Sequence, residues 1–176
     1  NGLDPETDLT IDQSIDFGST AAAFTGDTSA DFTVEFEPSA TLLEQEGTGY
    51  VVASLGTDSG YVPYTSYSAK ASFLEDHPKT IQKFTNALQK GMDYVSTHSP
   101  EEIATVIAPQ FPETDLATVT AIVTRYYQQD TWKDNLIFNE ESFQLLQDIL
   151  QDAGELSWRT EYTDLVTTSF AQKAAS

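Results

Sequence analysis

The amino-acid sequence predicts an α/β protein, with short strands alternating with helices through the first third and a mainly helical remainder. Three observations carry that expectation. Residues 31–37 (DFTVEFE) put Phe32, Val34 and Phe36 on one side and Thr33, Glu35 and Glu37 on the other, the two-residue period of a half-buried strand. Residues 50–55 (YVVASL) form an apolar run followed by a glycine-flanked segment, Gly56 to Gly60. From Pro78 onward the period changes, and apolar residues recur at three- and four-residue steps, as on one face of a helix.

In chain order, residues 1–7 (NGLDPET) are turn-rich. Residues 9–17 (LTIDQSIDF) alternate as a strand with a slip at Gln13-Ser14. A short helix follows at residues 19–24, with Ser19 or Thr20 as its N-cap and Gly26 closing it. After the 31–37 strand, Pro38 suits the first position of a helix over residues 39–46 that stops at Gly47. Residues 50–55 read as the next strand, residues 56–60 as a loop or hinge, and residues 64–71 as a third strand-like run.

The second part is helical throughout. Pro78 opens a helix that Ile81, Phe84, Leu88, Met92 and Val95 carry to about His98. Ser99-Pro-Glu-Glu102 is a capping box with proline at the first position, and Pro109 and Pro112 break the helix it opens. Asp115 caps a helix carried by Leu116, Val119, Ile122, Val123 and Tyr126. Residues 132–138 connect to a helix over 140–153, capped by Asn139 and stopped by Gly154, with Phe143, Leu146, Ile149 and Leu150 facing inward. A last short helix is expected within residues 162–170, and residues 171–176 are expected to fray.

Composition narrows the functional classes. With 28 Asp and Glu against 8 Lys and Arg, the formal net charge is −20, which disfavours nucleic acid and anionic membranes as partners. Its ordinary meaning is a solvated acidic surface. The absence of cysteine rules out disulfides, thiolate metal sites and cysteine nucleophiles in this chain. No stretch approaches the ~18 apolar residues of a membrane span. No export signal stands before Asn1, so any signal or lipid anchor is expected to be missing from this chain. His77 and His98 lack partners at metal-ligand spacing, and no calcium loop, P-loop, GxGxxG, GxSxG or HExxH motif occurs. No cofactor is expected.

A wider pattern joins these elements: a Glu-Pro at the head of a short LLE helix ending in glycine, then VVASLG, VPYT and AKASFLEDHP. In this it resembles the solute-binding proteins of ABC importers, in the branch that takes thiamine-precursor pyrimidines, alkanesulfonates, taurine or nitrate. The likeness runs from about Asp16 to Phe170 and matches the C-terminal half of such a protein. It implies a partial periplasmic-binding-protein-like fold of type 2. Residues 1–59 would form the C-terminal part of the second α/β lobe, and residues 60–176 the mainly helical C-terminal part of the first. It also implies a function: capture of a small polar solute between two lobes and delivery to a membrane permease, outside the cytoplasm and without chemistry. An incomplete sheet with exposed edges predicts self-association of this chain.

Candidate ligand contacts follow. Glu37, where a strand gives way to a helix, would accept hydrogen bonds from an amino group of the solute; equally, a carboxylate beside a helix N-terminus is stabilising without any ligand. Ser54, Thr57 and Ser59 offer hydroxyls for polar contacts, or serve as turn residues. Of Tyr61, Tyr64 and Tyr67, Tyr64 is the preferred residue to stack on a flat ligand, with aromatic packing of a hinge as the alternative. The carboxylate and the tyrosines favour an aminopyrimidine vitamin precursor first and an alkanesulfonate-like anion second. Two other functions compete. One is a pyrimidine-precursor synthase on the same fold, whose fungal examples rely on a cysteine-rich segment that this chain lacks. The other is a surface interaction domain with no small ligand.

Overall fold

The structure, a computed structural model, describes residues 2–176. Its contacts divide the chain into two compact units, Asn1–Val52 and Ala53–Ser176.

The first unit holds a 3-10 turn at Phe17–Ser19, helix α1 (Thr20–Gly26) and helix α2 (Ser39–Glu46). α1 follows Ser19, as the sequence predicts, but the Ser19 side chain makes no cap bond. Pro38 lies one position outside α2, at its N-cap. The Glu37 carboxylate supplies the missing acceptor, taking the Thr41 N–H at 3.1 Å. Gly47 ends α2 in the left-handed region (φ 69°), where Gly47 N–H donates to Glu44 C=O and Thr48 N–H to Leu43 C=O. The small core here is Leu43, against which Gly49 lies closely: a Cβ on Gly49 would stand 3.2 Å from the Phe24 ring.

The second unit begins with a single helical turn, α3 (Leu55–Asp58), then α4 (Ala71–Asp76) and the long α5 (Pro78–Thr97). α6 (Pro100–Ile107), a 3-10 turn at Ala108–Gln110, α7 (Leu116–Gln128) and α8 (Glu140–Asp152) follow. The short α9 (Tyr162–Leu165) and α10 (Ser169–Ala174) end the chain. α6 packs on α7, and α10 on α5. The core joins Ile103 and Ala104 of α6 to Val119 and Val123 of α7, with Tyr94, Val95, Ile107 and Trp132 closing over it.

Caps set the boundaries, and here the sequence was explicit. Ser99 and Glu102 form the reciprocal capping box, Asp115 accepts from the Ala117 and Thr118 N–H groups, and Asn139 accepts from Ser142 N–H. Gly154 (φ 75°) ends α8 through bonds from Gly154 N–H to Gln151 and from Glu155 N–H to Leu150. Phe143 is buried on α8, but Ile149 is exposed. The C-terminus is also more ordered than expected: α10 runs to Ala174, Ala171 is buried, and the Gln82 amide donates to Phe170 C=O at 3.0 Å.

The strands do not form, and the expected α/β fold with a partial type 2 binding-protein sheet is corrected to an all-helical one. Residues 9–17, 31–37, 50–55 and 64–71 contain no strand, nor does any other stretch among the described residues. Alternation states which side of a segment is apolar, whereas a strand also needs a neighbour to take its backbone N–H and C=O groups. Among the described residues, none of the four segments is paired with a second strand. Two places turn helical instead. Ser54 accepts from Thr57 N–H at 3.3 Å and caps α3, converting the expected glycine loop into a helical turn. Ala71, expected to close the third strand-like run, starts α4.

Candidate functional site

The best-defined group of polar side chains in the second unit is built where α7 ends. Gln129 is the C-cap, and Asp130 takes the left-handed conformation (φ 53°) that aspartate tolerates better than most residues. Asp130 N–H donates to Tyr127 C=O at 3.2 Å and Thr131 N–H to Tyr126 C=O at 3.1 Å, the paired bonds of a Schellman turn with aspartate where glycine is usual. The turn directs the Asp130 carboxylate to two partners. Its Oδ2 accepts from the Tyr61 hydroxyl at 2.8 Å and from the Lys133 ammonium at 2.5 Å. Lys133 also lies 3.8 Å from the centre of the Tyr61 ring. Three side chains thus close a ring in which each fixes the other two.

The loop that carries Lys133 is fastened from below. Trp132 packs edge-on against Tyr126, ring centres 5.9 Å apart. The buried Gln89 side chain of α5 donates to Asp134 C=O and to the Asp93 carboxylate, each at 2.9 Å. Electrostatics follow the geometry. The hydrogen bond from Lys133, then that from Tyr61, holds the Asp130 carboxyl below the usual range. Burial by itself pulls the Lys133 ammonium down, but the bonds with Asp130 and Tyr61 more than offset it and leave it raised. Both groups are therefore charged at neutral pH.

Two cavities flank this ring. The smaller, about 190 Å³, has Met92, Val95, Tyr127 and Trp132 among its walls and Asp130 and Lys133 at its edge. The larger, about 590 Å³, lies within the size range of small-molecule sites. Tyr61, Lys133, Asn135, Asn139, Glu141 and Ser142 give it polar edges, and Ile137 and Leu145 give it an apolar wall. Donors from Lys133 and the amides, an acceptor at Glu141 and an apolar wall are what a small flat polar molecule needs. Among the described residues, no group of three or more His, Asp or Glu stands where it could hold a metal ion.

The residues named from sequence fall elsewhere. Glu37 belongs to the first unit and caps α2. Ser54 and Thr57 are brought together in the second unit, but through the α3 cap. Tyr64 is 74% exposed. None of the four lines either cavity. Of the three tyrosines weighed, it is Tyr61 that meets a cavity. Lys133 was missed, although a lone lysine in a connector of so acidic a chain was a signal to be read.

No helix among the described residues is long and apolar enough to cross a membrane. No family model matches the chain, and no solved structure matches it. Over 174 residues, 99% of the chain, it is 37% identical to a protein of Bacillus subtilis (strain 168) named "Putative binding protein YtlA". Those residues cover 52% of the Bacillus protein, so the chain spans about half the length of that relative.

Proposed function

We propose that the chain is part of the solute-binding component of an ABC importer, which captures a small polar molecule outside the cytoplasm and passes it to a membrane permease. The observation that carries this reading is the 37% identity, over nearly the whole chain, to a protein whose name is that of a binding protein. The 590 Å³ cleft beside Tyr61 supports it, being of a size for one small solute. An aminopyrimidine suits its edges. Ring nitrogens accept from Lys133 or an asparagine amide, the exocyclic amino group donates to Glu141, and the flat ring rests on Ile137 and Leu145. An alkanesulfonate is the second choice, with its anion on Lys133. Glu37, Ser54, Thr57 and Tyr64, which do not line this cleft, are proposed separately as solute contacts. The role is binding, with closure of two lobes on the solute as its mechanism.

The test is titration calorimetry on the protein expressed from its complete reading frame, with a thiamine-precursor aminopyrimidine, taurine and ethanesulfonate as probes. Saturable binding of the aminopyrimidine in preference to the sulfonates is the expected result. Preference for a sulfonate changes the solute but keeps the role, whereas binding of none of these probes, with chemical turnover of any, overturns it.

A further inference from the structure

Residues 31–37 present their side chains in alternation, and the covered side is the polar one. Phe32 is 80% exposed and Val34 64%, and Phe36 is exposed as well. Thr33, Glu35 and Glu37, between them, are half-buried. The Thr33 hydroxyl donates to the Glu35 carboxylate at 2.7 Å, and Glu37 accepts from Thr41 N–H, so the polar side is engaged within its own unit. The Phe17 ring, also exposed, lies against Phe36 with centres 4.7 Å apart and extends the apolar side. Scattered exposed apolar residues are ordinary; a stripe of three aromatics and a valine, outward while its polar neighbours are covered, marks a face made for a partner.

Charge and length select the partner. Residues 1–52 carry 11 carboxylates and no Lys, Arg or His, so a second copy would set two purely acidic surfaces together. The Bacillus relative, by contrast, has about as much polypeptide outside the matched region as inside it. We propose that the Phe17–Phe32–Val34–Phe36 face docks a polypeptide segment of the same protein lying beyond these 176 residues. That segment is apolar at its centre and bears Lys or Arg at its rim, to meet the acidic surface of residues 1–52, the exposed Asp31 included. The proposal is independent of which solute is bound.

The experiment uses the protein from its complete reading frame, with any cysteine replaced by serine; this chain itself contributes none. Single variants Phe32→Cys, Val34→Cys and Glu46→Cys, the last at the exposed end of α2, are reacted with a maleimide at several protein concentrations. The expected result is labelling of Phe32→Cys and Val34→Cys slower than Glu46→Cys by on the order of 100-fold, independent of concentration and abolished in denaturant. Hydroxyl-radical footprinting of unsubstituted Phe32 and Phe36, slow in the complete protein and fast in these 176 residues alone, gives the same answer without a folding risk. Equal labelling of all three sites in a protein that still melts cooperatively, with equal footprinting in both forms, overturns the proposal. Protection that disappears on dilution also overturns it, in favour of a second copy. So does a reading frame that encodes nothing beyond these residues.

Discussion

Tyr61 and Asp130, 69 residues apart in sequence, are joined by a 2.8 Å hydrogen bond from the phenol to the carboxylate. This contact fastens the segment after α3 to the end of α7, and Lys133 folds over it. Removing the phenol in Tyr61→Phe leaves the ring for Lys133 but releases one of the two bonds that hold Asp130. The expected outcome is local: amide exchange in residues 129–135 quickens several-fold while the melting of the unit barely changes, because all three groups are open to solvent. Global destabilisation of the second unit by this single change would contradict that assignment.

Lys133→Met tests the cleft more directly. The ammonium is the cation lining the 590 Å³ cavity, and methionine keeps much of its length without a donor. Affinity for the aminopyrimidine should fall about tenfold or more, the cost of one charge-assisted hydrogen bond of ~1.5–3 kcal/mol. An unchanged dissociation constant by calorimetry would move the solute out of this cleft.

The pH response has two opposing parts. The net charge of −20 strains the folded chain at neutral pH, and acidification toward the isoelectric point near 4.1 relieves it. Against this, Asp115 is held below its ordinary 3.8 by its bond from the Thr118 hydroxyl and then by the backbone N–H groups, and Glu102 below 4.5 by the Ser99 N–H. A carboxyl lowered in the fold contributes stability that is present above its unfolded value and lost as pH falls through the folded one. Stability should therefore rise on mild acidification and then fall as the pH drops below the ordinary carboxyl values and through the lowered folded ones, where the caps take up their protons. Asp115→Asn isolates the second part: less stable than the parent at neutral pH in urea unfolding, and equal to it once the parent carboxyl is protonated. A gap that persists in strong acid would mean that the charge on Asp115 is not what matters.

How legible the fold was depended on what each element needs. The capping box of Ser99 and Glu102, the caps Asp115 and Asn139, and the stops Gly47 and Gly154 act within a few residues, and the sequence contains both partners. The strand-like segments needed a partner from elsewhere, and the alternation of Phe32, Val34 and Phe36 carried no information about whether one was present. The Tyr61 ring was half legible. Tyr61, Tyr64 and Tyr67 stand out together in the sequence, with Tyr64 preferred, whereas the junction of Tyr61 with Asp130 and Lys133 depends on a left-handed turn at an aspartate, which no motif announces. Glu37 stands at the head of α2, where its place before Pro38 puts it, and its carboxylate takes the Thr41 N–H.

The α6–α7 contact should dominate the stability of the second unit. Ile103, Ala104 and Val123 are almost wholly buried there. Ile103→Ala should cost ~2–5 kcal/mol through lost transfer energy and a residual cavity. Ala104→Leu, at a position with no exposed surface, should cost ~1–3 kcal/mol through overpacking. Urea unfolding followed by the fluorescence of Trp132, which packs on this core, measures both. A negligible change in either would mean that α6 and α7 are not held together as described.

Glu37→Gln separates the two roles open to that side chain. Glutamine keeps a carbonyl oxygen for the Thr41 N–H, so the acceptor at the start of α2 survives and the first unit should melt close to the parent temperature. The negative charge is lost. A solute amino group that donates to a carboxylate binds more tightly than one that donates to an amide, because charge-assisted hydrogen bonds are roughly twice as strong as neutral ones. The expected outcome is therefore a drop in aminopyrimidine affinity of about tenfold with little change in melting. Unchanged affinity assigns Glu37 to the helix alone, since the variant keeps the acceptor for the Thr41 N–H and any loss of its charge from the helix N-terminus shows in the melting, not in the affinity.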